Sequence, residues 1–168
     1  DQLFDHYIIN TASGEKKLIL KGFTYLNGSS PAGKYALYFK DKNWWVYDIL
    51  KDTHINLTKD IPSVFWNTRD DSPKDIKPPF GTGGWFKDDK AILVYDEFDV
   101  WKISMDGLKA VRLTNGKENN IIFRVSRMSY EYPYIEPDKD MYFSASGDLD
   151  KKMGYFRFTV KSKFENLL

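Results

Sequence analysis

Short runs of apolar and aromatic residues alternate with charged turns along nearly the whole chain. The run 34–39 (KYALYF) is mostly apolar and rich in β-prone residues, the pattern of a strand buried on both faces. A charged turn at 40–43 follows, then a second run at 44–49, a turn at Lys51-Asp52 and a third run at 54–58. The same order returns at 91–95, 100–104 and 109–114, where Asp106-Gly107 marks a tight hairpin turn because glycine tolerates positive φ. A short strand precedes each set, at 23–26 and at 84–86, which predicts four antiparallel strands per unit.

These two units are an internal repeat. Residues 33–58 and 89–114 align without a gap, so that Lys34 meets Lys90, Leu37 meets Leu93, Trp45 meets Trp101 and Leu57-Thr58 meets Leu113-Thr114. Partial units flank them. Runs at 7–10 and 16–20, around a turn at Ser13-Gly14, read as the last two strands of an earlier unit. Runs at 132–135, 140–145 and 154–160 read as the first three strands of a later one. Four-stranded units repeated near this length are the pattern of a β-propeller, while a meander or sandwich of short strands is the plainer alternative. The fold class expected is all-β: propeller blades, about two complete and two partial, in a fragment of a larger propeller. Blade parts fall at about 1–21, 22–58, 84–114 and 130–168. Helical signal is confined to two short stretches, 126–130 and 161–168.

One connection breaks the rhythm. Residues 59–83 carry four prolines (Pro62, Pro73, Pro78 and Pro79) and many charges. Loops this long without regular structure are uncommon and often functional. Antiparallel geometry puts it on the same face as the turns 40–43 and 96–99. Val64, Phe65 and Trp66 are its candidate anchors. A lid facing a substrate or a neighbouring domain and a structural insertion are both open at this point.

Composition agrees with a β protein. Of the 168 residues 42% are hydrophobic, enough for a core, and 17% are aromatic, which favours strands. Lys plus Arg number 25 against 24 acids, and the charges are scattered through turns rather than clustered, so no nucleic-acid partner is expected. There is no cysteine, which excludes disulfides, thiolate catalysis and most structural zinc sites. No apolar run approaches the ~18 residues of a membrane span. The chain opens on Asp1, with no leader pattern, and reads as a processed or excised piece.

No catalytic, cofactor-binding or metal-ligating residue is nominated. The Gly-x-Ser-x-Gly elbow is absent, and the two histidines, His6 and His54, fall in strands beside turns, where a half-exposed structural role is expected. Gly81-Thr82-Gly83-Gly84 lacks the Lys-Ser/Thr of a phosphate loop and precedes a strand. Asp96, Glu97 and Asp99 share one turn but not the spacing of a calcium loop, and read as a solvated acidic hairpin. Trp44, Trp45, Trp66, Trp85 and Trp101 could form a stacking platform for sugar or peptide; the matched places of Trp45 and Trp101 favour packing between blades.

Residues 83–116 (GGWFKDDKAILVYDEFDVWKISMDGLKAVRLTNG) resemble the propeller repeats of the prolyl oligopeptidase family of serine peptidases, which includes dipeptidyl peptidase IV. Residues 30–58 look similar, and their Ser-Pro-x-Gly-Lys lead-in also resembles the periplasmic propeller of the Tol system. Residues 65–85 (FWNTRDDSPKDIKPPFGTGGW) look like large secreted members of the peptidase family from Bacteroidetes-type bacteria. The resemblance implies a propeller that admits short peptides to an α/β-hydrolase domain carrying the Ser-Asp-His triad. It implies that hydrolase domain and a peptide substrate as partners, and a periplasmic or secreted location. No family catalytic residue carries over, because no matching position is present here. Open blade faces would also favour self-association, since repeat units bury their core against one another. A Tol-like module that binds protein partners without chemistry is the alternative.

Overall fold

The computed structural model describes residues 2–126, 133–159 and 165–166. It is all-β. Strands β1 (Phe4–Ile9) and β2 (Lys16–Phe23) form a hairpin. Strands β3 (Leu26–Ser29), β4 (Tyr35–Lys40), β5 (Asn43–Asp48) and β6 (Thr53–Asn56) form a four-stranded antiparallel sheet in sequence order. The next sheet repeats that order with β7 (Thr82–Phe86), β8 (Ala91–Tyr95), β9 (Val100–Ser104) and β10 (Ala110–Arg112). A single helical turn, α1 (Gly116–Asn119), leads to β11 (Ile121–Val125). Then come β12 (Tyr134–Ile135), β13 (Met141–Gly147), β14 (Met153–Phe158) and β15 (Glu165–Asn166). Among the described residues no helix is long and apolar enough to cross a membrane.

The hairpin and three sheets stack face to face like consecutive propeller blades, without closing a ring. The reason lies in the side-chain alternation of β4 and β8. Successive residues of a strand point to opposite faces. In β4, Leu37 and Phe39 join a core shared with the second sheet, while Ala36 and Tyr38 pack against the hairpin. In β8, Ile92 and Val94 face the first sheet, and Ala91, Leu93 and Tyr95 face the third. An unbroken apolar run is what a strand with a neighbour on each side requires.

Local chemistry sets the turns. Asp41 and Lys42 both take positive φ (49° and 64°), the primed two-residue turn whose twist suits a hairpin. Gly107 (φ 72°) supplies the one positive φ of the longer turn between β9 and β10, as the sequence predicts. Gly83 answers a different need. A Cβ there would sit 2.8 Å from Val125 Cγ2 and 2.9 Å from Leu93 Cβ, so the glycine lets the third sheet come close to the second.

Two expectations are corrected. Residues 132–135 were to open a later unit. Instead Tyr134 and Ile135 pair in parallel with Trp85 and Phe86 on the inner edge of the second sheet. The inner strand of the third sheet is β11, whose Ile121–Val125 pairs with β13. That sheet therefore has four strands, β11-β13-β14-β15, and begins at Ile121 rather than near residue 130. The repeat hid this, because the connection from β10 to β11 spans only 113–120, against 57–81 from β6 to β7. The first strand of the first unit also lies later than expected, at Leu26–Ser29, because 23 ends β2. Of the two stretches with helical signal, 127–130, 161–164 and 167–168 lie outside the described residues.

A buried carboxylate ties the first sheet to the second. Asp89, 2% exposed, accepts hydrogen bonds from Ser30 Oγ (2.5 Å), Ala32 N (3.1 Å) and Lys34 N (3.3 Å). Removing it leaves the buried Ser30 hydroxyl without its acceptor and takes one from the half-buried amides of Ala32 and Lys34. Asp89→Ala is expected to lower unfolding free energy by about 2–4 kcal/mol, read by urea denaturation. An effect within about 0.5 kcal/mol would show that the junction does not depend on this carboxylate.

Candidate functional site

The long loop is a packed structure. Trp66 and Pro79 form an isolated bridge, Asn67 N donates to Pro78 O (2.7 Å) and Phe80 N to Phe65 O (3.0 Å), which pinches the segment at its base. Phe65 is 1% exposed, lies in the core between the first two sheets and meets Trp101 edge to face at 6.3 Å. Trp66 is half-buried and Val64 is exposed. Phe65 is thus the main anchor of the three candidates.

The loop lies on the face of the turns after β4 and β8, as antiparallel geometry predicts. Ser63 Oγ donates to Asp96 Oδ2 (2.6 Å), and Lys42 Nζ sits 4.8 Å from the centre of the Trp66 ring. Arg69 reaches farthest. Its Nε donates to Glu97 (2.6 Å), and its Nη1 and Nη2 grip both oxygens of Asp148 (2.7 and 2.6 Å). One guanidinium therefore ties the loop to the second and third sheets, in the bidentate geometry that suits arginine.

The acidic turn is not solvated, and this corrects the sequence expectation. Asp96 is 7% exposed and Asp99 fully buried. Asp96 accepts from Ser63, from Trp101 Nε1 (2.7 Å) and from the backbone of Phe98 and Asp99. Asp99 accepts from Thr114 Oγ1 (2.5 Å), Gly116 N (2.5 Å) and both Nε and Nη2 of Arg112. Glu97 turns away to Arg69. The three carboxylates thus serve three separate sets of partners, and no cluster with metal-binding composition occurs among the described residues. Arg124 closes the turn from the third sheet. It donates to Asp96 O and Glu97 O and lies 4.6 Å from the Tyr95 ring, and burial pushes its pKa down.

The repeat has a polar signature that the sequence hinted at through its paired Leu-Thr. Thr58 Oγ1 accepts from Trp44 N and donates to Asn43 Oδ1, while Thr114 Oγ1 accepts from Val100 N and donates to Asp99 Oδ1. The indoles match too. Trp45 Nε1 donates to Lys40 O (3.1 Å), and Trp101 Nε1 to the side chain of Asp96. Trp44 and Trp85 are buried, so of the five tryptophans only Trp45 and Trp66 reach the cleft described next.

That cleft, about 710 Å³, opens on the turn face between the hairpin, the first sheet and the long loop. Its wall holds Phe23, Tyr25, Tyr38, Phe39, Trp45 and Trp66, with Lys21, Lys40, Lys42 and Lys77 at its edge. A second hollow of about 500 Å³ shares Thr24, Tyr25 and Asp75 with it and adds Lys74. No local pattern in the chain signals this cleft, because its walls come from three segments far apart in the chain. Tyr38 and His54 meet inside it, hydroxyl to Nδ1, at 2.8 Å. Burial pushes the Tyr38 hydroxyl up to about 12, and it lowers the His54 pKa, with the Lys40 charge adding to that. Both groups are therefore neutral at physiological pH. His6 lies on the hairpin, with Nε2 3.3 Å from Phe23 O.

No known protein family and no curated protein matches the chain.

The loop strap has a pH signature. Hydrogen bonds from Arg69 hold the Asp148 pKa below the usual carboxylate range. A depressed carboxylate stabilises the fold fully above its unfolded value, about 3.9, and the gain is lost as pH falls through the lower folded value. Arg69→Ala is expected to melt below the wild type at neutral pH. The gap should hold down to about pH 4 and close below it. Thermal melts across that range check this; a gap that persists in stronger acid would mean that Arg69 acts by packing instead.

Proposed function

We propose that this chain is a noncatalytic propeller segment of a prolyl-oligopeptidase-like serine peptidase. In this role it gates or binds oligopeptides for an α/β-hydrolase domain outside the chain, in the periplasm or outside the cell. The observation that carries the reading is the stack of largely antiparallel sheets of four or five strands with one elaborated turn face. The repeats that make the first two of those sheets are the segments that resemble the family. A face built of a pinned loop and a peptide-sized aromatic cleft suits the handling of extended chains better than chemistry, because catalysis needs a nucleophile and base in mutual reach. Here the imidazole of His54 meets a tyrosine, and that of His6 a backbone carbonyl.

The outer hairpin supports a further part of this reading. Leu3, Phe4, Tyr7, Ile9 and Leu18 are each more than 40% exposed, on a hairpin at the end of the stack, whereas the first and second sheets are packed on both faces. Such a surface fits coverage by another blade of the same parent or by a second copy of this chain. In sedimentation velocity, the isolated chain is expected to shift towards dimer as concentration rises, and Tyr7→Lys with Leu18→Lys should abolish the shift. A monomer at every concentration would count against exposed blade faces as a docking surface.

The peptidase reading is tested on the native protein, recovered with an antibody against this chain after reaction with a fluorophosphonate probe. Labelling of a species far larger than the chain is the expected result. An unlabelled protein with the mass of a lone propeller would overturn it in favour of a Tol-like module that binds protein partners.

A further inference from the structure

We infer that the cleft between the hairpin, the first sheet and the long loop is a binding site for an acidic, aromatic-bearing peptide segment. Its charge is the first argument. Among the described residues Lys21, Lys40 and Lys42 line it without a carboxylate partner, and Lys77 spends its ammonium on Ser72 O (2.5 Å), a carbonyl. With Lys74 in the adjoining hollow, five lysines face Asp41 and Asp75, with Asp70 near Lys74 and Lys77. In a chain whose overall charge is only +1, this local excess favours carboxylates in a ligand.

Shape and chemistry are the second argument. The wall is aromatic and the cations sit at its edge, the arrangement that takes an apolar ring inward and leaves flanking acids at the rim. Lys42 is held in place, because its turn has positive φ at both central residues and its ammonium lies over Trp66. Thr24 Oγ1, in the same wall, is buried with no hydrogen-bond partner among the described residues. At one end the Tyr25 hydroxyl donates to Ile76 O (3.2 Å), joining the chain before β3 to the long loop, so the two walls are connected.

Each cleft tryptophan already uses one ring face inside the protein. Trp45 stacks on Tyr38 with centroids 6.2 Å apart and 17° between planes, and Trp66 carries Lys42. A phenylalanine or tyrosine ring can meet these groups edge to face.

The choice of a peptide as occupant rests on the proposed peptide-handling role, but its test needs no hydrolase domain. Failure of probe labelling and failure of peptide binding are therefore separate results. The test titrates this chain with acetyl-Glu-Phe-Glu-Phe-Glu-amide, following tryptophan fluorescence, and compares the same peptide with lysine in place of each glutamate. The acidic peptide should saturate the signal and bind at least about tenfold more tightly than its basic counterpart, with the gap shrinking as salt rises. Lys21→Glu combined with Lys40→Glu should weaken acidic-peptide binding by about tenfold or more and leave the melting temperature unchanged, since neither lysine has a partner to lose. Trp66→Phe should weaken both peptides. Equal binding of the two peptides, indifference to the lysine changes, no saturation by the acidic peptide, or binding of an oligo-glucuronate instead would each overturn the inference.

Discussion

The structure depends on one constraint: in a sheet flanked on both sides, the second strand must be dry on both faces. In β4 and β8 no residue of the central run can be polar, because odd and even positions enter different cores. Leu37, Ile92 and Leu93 are wholly buried as a result. Truncating a side chain of this kind typically costs about 2–5 kcal/mol, a large share of a total stability of roughly 5–15 kcal/mol. The outer strands are under no such demand. β6 and β10 are short and largely exposed, and they tolerate residues such as His54 and Arg112.

Burial alone does not set how the sheets sit on one another, since apolar faces can slide. Polar side chains supply the register. Asp89 links the turn before β4 to the turn before β8. Arg124, from the third sheet, holds the carbonyls of the turn after β8. Strand β12 does the same through the backbone, leaving the third sheet to pair with β7 of the second. Each link joins neighbours in the stack, so the order of the sheets is encoded locally even though their cores are continuous.

This division explains what could be read from the sequence. Runs such as 91–95 and 100–104 were placed to the residue, because an apolar run between charged turns is a local signal. The paired Leu-Thr was visible as a repeat, and its hydroxyl clasp is the physical reason for the pairing. By contrast, β11 was missed because the repeat sets an expectation of spacing that a short connection breaks. β12 was assigned to the wrong sheet because two residues pairing in parallel across a distance leave no periodic trace. The acidic turn departs from its expected exposure for a related reason. Composition cannot distinguish a carboxylate in water from one aimed at a threonine, a glycine amide and an arginine that lie 13 to 17 positions downstream.

The same contrast in connections explains where a cleft can form at all. Between the second and third sheets the chain turns tightly. A Cβ on Gly116 would fall 2.1 Å from Ile121 O, so α1 packs tightly on β11 there. Between the first and second sheets the path through 57–81 is too long to close. Phe65 fixes its near end in the core, and Arg69 fixes its middle to the other sheets. The rest of the loop must then stand beside the hairpin as a wall. A loop free at both ends could collapse into that space, whereas one held by a buried ring and a bidentate guanidinium cannot do so without breaking both. Ligand-sized space on this face is therefore a consequence of the anchors, and the residues that keep the cleft open are largely different from those that line it.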